Sequence, residues 1–227
     1  MTRIFDALRI HDQRDQPVGA GQVYGEPSML ARDELVSLYH GIRTQLPEDA
    51  RAIVEITSSG RGEGTSTLAR DLANTVAGNL GLRVLLVVIG AAESVAGGLE
   101  GVAAGRVEVA DVIAPAKDGP FYRATLAVSG TSARFLFDSG ELDRVFAAAL
   151  DLVDFIVIDA PPILADVASM VLTRIAGGVL LVVEAERTRA PIVDQARRAI
   201  EGNGGRLLGV VMNKRRFHIP RAIYRRL

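Results

Sequence analysis

Six short apolar runs punctuate the chain: AIVEIT (52–57), RVLLVVI (83–89), a weaker ATLAVSG (124–130), DFIVIDA (154–160), GVLLVVEA (178–185) and RLLGVVMN (206–213). They are rich in Val, Ile and Leu and lack the two-residue alternation of a strand with one wet face. That pattern predicts strands buried on both sides. Helices are expected between them, over 66–79, 105–113, 139–151, 164–175 and 189–201. An earlier helix, from about Ala31 to Leu46, would carry Leu35, Leu38, Tyr39, Ile42 and Leu46 on one face. Strands alternating with helices in this way imply an α/β fold. The expectation is a three-layer sandwich with a mostly parallel central sheet flanked by helices and ligands at the carboxyl ends of the strands. No internal repeat is present.

Residues 1–30 read differently. IFDALRI has the pattern of a short amphipathic helix, while 11–27 is rich in Gly, Gln, Pro and Asp and reads as a flexible arm. The domain proper is therefore expected over 31–227. Charges at Arg3, Asp6 and Arg9 do not suit a signal peptide. The apolar runs fall well short of the roughly 20 residues of a membrane span, so a soluble, cytoplasmic protein is expected, recruited to the inner face of the membrane if it works there. A net charge of −1 points to neither nucleic acid nor membrane as a partner of the chain as a whole. Cysteine is absent, which removes disulfides and thiolate metal sites, and His11, His40 and His218 have no metal-ligand spacing.

The stretch ITSSGRGEGTSTLARDLA carries the most chemistry. A strand ends at Thr57, a turn runs through Gly60, Gly62 and Gly64, and a helix is expected to open near Ser66. Glycines let successive backbone N–H groups curl inward, and a helix N-terminus adds partial positive charge, so the turn suits a phosphate. The Walker A pattern, GxxxxGK[ST], needs a lysine for the terminal phosphates and a hydroxyl for magnesium. Ser66 offers the hydroxyl, but Thr65 stands at the lysine position. Asp159, ending the apolar run FIVID, has the Walker B character of an acid that holds magnesium beside the loop. Candidate nucleotide contacts are thus Gly60, Arg61, Gly62, Glu63, Gly64, Thr65, Ser66 and Thr67, with Ser66 and Asp159 as the magnesium pair.

The ordered set GEGTST, VLLVV, DFIVIDAPPIL, GGVLLVVEAERTR and LLGVVMNKRR resembles the bacterial tyrosine kinases of capsule and exopolysaccharide synthesis, within the ParA- and MinD-like P-loop class. The resemblance covers about residues 35–227, and IFDALR also looks like the opening of such proteins. It implies that Thr65 replaces the loop lysine and that Arg61 stands at a proline position. Val88 and Gly90 occupy two acid positions that serve magnesium and catalysis. Asn213 matches an asparagine that contacts adenine, and Tyr224 is the one tyrosine left where a phosphorylated tail would lie. The family's ring-forming EAYR stretch reads SLYH here, keeping only Tyr39, so homo-oligomer formation is an open expectation.

Phosphoryl transfer depends on positioned positive charge, so these losses imply a degenerate kinase that binds ATP or ADP with magnesium weakly or not at all. The expected role is regulatory, in polysaccharide production and export, as partner of a membrane polysaccharide co-polymerase. Two alternatives stand beside it. One is an active tyrosine autokinase in which Arg61 or a partner's residue replaces the lysine. The other is a ParA- or MinD-like positioning ATPase, disfavoured because no lysine stands near the front of the loop. The tail NKRRFHIPRAIYRRL combines six cations with interleaved apolar residues. It reads either as a segment contacting anionic membrane or an acidic partner, or as a terminal helix packed on the domain.

Overall fold

The computed structural model describes residues 30–48, 50–90, 97–127 and 140–214. In chain order the elements are α1 (Arg32–Gln45), β1 (Ile53–Ser58), α2 (Thr65–Leu80), β2 (Val84–Ile89), α3 (Leu99–Ala103), α4 (Val109–Val112), β3 (Ala114–Pro115), β4 (Tyr122–Leu126), α5 (Glu141–Leu152), β5 (Phe155–Asp159), α6 (Val167–Ile175), β6 (Gly178–Glu184), α7 (Ala190–Gly202) and β7 (Leu207–Asn213). The sheet runs β3-β4-β2-β5-β1-β6-β7. All its pairings are parallel except that between β3 and β4.

β1 lies near the middle of the sheet, between β5 and β6, and all six of its residues are buried. This explains its lack of alternation: Val54 and Ile56 face the α1/α2 side while Ile53 faces the other. On the first face Leu35, Ile42 and Leu46 pack with Leu68, Leu72 and Val76 from α2. Leu38 and Tyr39 join them, Tyr39 meeting Phe155 edge-on with ring centroids 5.2 Å apart. Leu142, Val145 and Phe146 of α5 and Leu172 of α6 cover the second face under β2 and β5. Ala196 and Ile200 of α7 cover it under β6 and β7.

Three expectations need correction. The helix expected over 105–113 is only the single turn α4, because Gly105 turns at a φ of 66° after α3 and the chain re-enters a helix only at Val109. The weak strand expected at 124–130 begins at Tyr122 and ends at Leu126, its start set by antiparallel pairing with Ala114–Pro115. The helix expected from 164 starts at Val167, where the Asp166 carboxylate caps it by accepting from the Ala168 N–H at 2.8 Å.

Between α6 and β6 the backbone passes so close to its neighbour that a Cβ on Gly177 would lie 2.3 Å from the Arg51 carbonyl oxygen. Backbone cannot step aside as a flexible side chain can. Gly177→Ala is therefore expected to cost about 1–3 kcal/mol in chemical denaturation, the usual size of overpacking.

Candidate functional site

The carboxyl ends of β1, β5 and β7 meet the head of α2 around a cleft of about 780 Å³. Its floor is the turn from Ser58 to Thr65. Gly62 and Gly64 hold φ values of 78° and 104°, which a side chain at either position would oppose. Gly64 is the N-cap of α2 and brings no side chain to the helix end. The first N–H groups of a 16-residue helix are thus left without a side-chain cap at the edge of the cleft.

Arg61, Gly62, Gly64, Thr65, Ser66, Thr67 and Asn213 all line this cleft, so most of the sequence-predicted contacts converge. Thr65 is the first residue of α2 and nearly buried, whereas Ser66 beside it is exposed. The Ser66 hydroxyl faces the Asp159 carboxyl. Burial holds the Asp159 carboxyl above its ordinary value, with Ser66 and the charge of Arg123 pulling the other way. Asp159 pairs across the sheet with Val88 of β2 and Ile56 of β1. Residues in register point to one face, so Val88 stands beside Asp159 on the α2 side.

Glu63 has a different place from the other loop residues. Its carboxylate is buried beneath the turn, accepting from the Ser59 hydroxyl at 2.9 Å and the Gly60 N–H at 2.8 Å. The Thr188 hydroxyl also donates to it, as does the Glu184 N–H at 3.4 Å. Glu63 therefore braces the loop from below, and Gly60, whose N–H it binds, is engaged inside the turn. Neither residue lies in the cleft wall.

Asn213 ends β7 and ties that strand to the loop. Its amide donates to the Glu63 carbonyl at 2.7 Å, and its side-chain oxygen accepts from the Lys214 N–H at 2.7 Å. One amide hydrogen and one lone pair remain for a ligand. Lys214 adopts a left-handed backbone with a φ of 57°, and its ammonium lies 2.6 Å from the Gly62 carbonyl oxygen and 3.3 Å from Glu184. Burial would raise the Glu184 carboxyl, but Lys214 and Arg187 together hold it below its usual range.

Sequence reasoning grouped Lys214 with the basic tail and missed its contact with the loop; its only signal was its place directly after Asn213 at the strand end. Glu55 was missed as well. A lone acid inside AIVEIT was the available clue. Tyr224 and the rest of the basic tail lie outside the described residues.

Among the described residues no helix is long and apolar enough to cross a membrane. Nor do three or more His, Cys, Asp or Glu residues gather there as a metal cage. A magnesium ion held by Ser66 and Asp159 would need phosphate oxygens and water to complete its shell.

No protein-family model matches the chain. It is 27% identical to the tyrosine-protein kinase CpsD of Streptococcus agalactiae over 191 residues, which span 78% of this chain and 81% of that protein. The kinase domain of the Escherichia coli tyrosine kinase ETK has the same fold, with a TM-score of 0.71 at 22% identity over 84% of this chain and 79% of that one. The septum site-determining protein MinD of Pyrococcus horikoshii, solved with Mg-ADP, matches 77% of this chain and 76% of its own, with a TM-score of 0.56 at 22% identity. The fold is that of the P-loop kinases and MinD-like ATPases.

Proposed function

We propose that this homologue of the bacterial tyrosine-protein kinases is a regulatory member of a capsule or exopolysaccharide pathway, one that takes an adenine nucleotide with magnesium and transfers phosphate poorly or not at all. The observation that carries this reading is the composition of the cleft. The loop, the helix head and the Ser66–Asp159 pair are all present, while Thr65 holds the lysine position and Val88 lies next to Asp159. Backbone donors and one hydroxyl–acid pair support binding. Transfer needs positive charge on the terminal phosphoryl group, and Thr65 supplies none.

The cytoplasmic face of a membrane, beside a polysaccharide co-polymerase, is the setting this reading implies. The basic tail would be its contact there. An active autokinase is the competing reading, favoured by Arg61, which is exposed and lines the cleft in place to carry the charge.

Purified protein incubated with radiolabelled ATP and magnesium, then probed for phosphotyrosine, separates the two. The expected result is a thermal shift on adding Mg-ADP and no labelled tyrosine. Strong labelling that vanishes in Asp159→Ala would establish the autokinase instead. Because burial raises Asp159, the magnesium-dependent part of ADP binding is expected to weaken as the pH falls toward the carboxylate range. The carboxylate must be ionised to hold the metal, so the dependence runs in that direction.

A further inference from the structure

The loop has lost the lysine of its own sequence, yet an ammonium group still lies on it. Lys214 reaches the loop from the end of β7 and places Nζ 2.6 Å from the Gly62 carbonyl oxygen. Gly62, Thr65 and Lys214 share the wall of one cleft. We propose that Lys214 supplies, from the far side of the cleft, the phosphate-facing charge that Thr65 cannot. This rests on the reading of the cleft as a nucleotide site.

Three observations support the assignment. The first is aim. Asn213 accepts from the Lys214 N–H while donating to Glu63, so the same side chain that anchors β7 to the loop also fixes the turn that points Lys214 at it. The second is availability. Lys214 is exposed, and its Gly62 partner is a neutral carbonyl, which a phosphate oxygen outcompetes for a cation. Its carboxylate partner, Glu184, lies farther away at 3.3 Å and keeps Arg187 as a second cation when Lys214 leaves. The third is chemistry. An ammonium on a flexible four-carbon stem can pivot from the carbonyl to a phosphate without moving the backbone. Arg61 also borders the cleft, but no hydrogen bond among the described residues holds its guanidinium on the loop.

The test measures binding of ADP and of AMP to the full chain, with magnesium, by fluorescence displacement at two salt concentrations. The variants are Lys214→Ala, Lys214→Gln, Arg61→Ala and the pair Lys214→Ala/Thr65→Lys. Lys214→Ala and Lys214→Gln are both expected to weaken ADP about tenfold or more and AMP no more than about threefold, with a shallower salt dependence. Arg61→Ala should lose less ADP affinity than either Lys214 variant. Adding Thr65→Lys to Lys214→Ala should recover most of the lost ADP affinity. Should the parent bind ADP while both Lys214 variants bind it equally well, the inference fails and the nucleotide reading survives. An equal loss of ADP and AMP would also overturn it, since that marks a base-side or structural role. A parent that binds neither nucleotide would overturn the nucleotide reading and the inference with it. Lys214→Gln keeps the first half of the stem and a polar end without the charge, and so helps separate charge from packing.

Discussion

Glu55→Gln is expected to abolish a fall in stability that the parent protein shows as the pH rises from about 4.5 to 8. Glu55 lies in the middle of β1 with no exposed surface, and burial pushes its carboxyl up to about 8, against the pull of a hydrogen bond with Ser169. In the unfolded chain the same group ionises near 4.5. Between those values the native state holds a proton that the unfolded state has released, so each step up in pH favours unfolding. The stability contributed by the neutral form is complete below 4.5 and is lost progressively as the pH climbs to 8. At about 1.36 kcal/mol per unit, the loss is on the order of 5 kcal/mol across the window. Glutamine has the same shape and no charge to shed. Urea unfolding of parent and variant at pH 5 and pH 8 should therefore converge at the lower pH and diverge at the higher, with the variant the more stable. Equal pH slopes would show that Glu55 ionises normally.

Geometry supports a protonated Glu55. Its Oε1 lies 2.6 Å from the Ser169 hydroxyl, which lies 3.0 Å from the Thr57 hydroxyl. Thr57 in turn donates to the Pro161 carbonyl at 2.6 Å. Each hydroxyl has one hydrogen to give. If Glu55 keeps its proton, the chain runs Glu55 to Ser169 to Thr57 to Pro161 and every contact has a hydrogen. Were Glu55 ionised, Ser169 would have to donate backward and leave the Ser169–Thr57 contact empty. The network thus joins the core of the sheet to the turn just beyond Asp159, and loss of the proton at high pH should open the Ser169–Thr57 contact between α6 and β1 first.

Much of the fold was legible because periodicity reports burial directly. The runs at 52–57, 83–89, 154–160, 178–185 and 206–213 each match a strand to within a residue or two. What failed was local in another sense. Gly105 delays the expected helix by a backbone dihedral, and β3 exists only because β4 lies beside it. Neither fact leaves a hydrophobic period. At the site, the loop and Asp159 were readable because their residue types and order carry the chemistry. Lys214 and Thr188 were not. Each reaches its partner across more than 120 residues of sequence, Thr188 to Glu63 and Lys214 to Gly62, and such distance is invisible to spacing. Glu55 is a third kind of case: the acid was visible in its strand, but its partner Ser169 sits 114 residues away.

On the proposed reading, adding three charges together is expected to bring chemistry that none of them brings alone. Thr65→Lys returns an ammonium to the head of α2, where the side chain has the cleft to extend into. That change should tighten ATP binding, while hydrolysis stays close to background because only Asp159 is there to place the metal. Val88→Asp sets a second carboxylate one strand away from Asp159, about 4.8 Å across the sheet and on the same face. Two such acids repel, and a magnesium ion between them relieves the repulsion, so this variant should bind magnesium more steeply than the parent. Gly90→Asp meets no obstacle, for a Cβ there has nothing within 4 Å. A single electrostatic stabiliser of a transition state is commonly worth about 3–4 kcal/mol, or a factor of roughly a hundred to a thousand in rate. Thr65→Lys/Val88→Asp/Gly90→Asp should therefore gain at least about a hundredfold in magnesium-dependent ATP hydrolysis over the parent, and Asp159→Ala in that background should erase the gain. Parent turnover equal to that of the triple variant would mean that the parent already holds a cation at the terminal phosphate. Lys214→Ala in the parent would then be the variant that loses it, and that outcome would place this cleft among working enzymes.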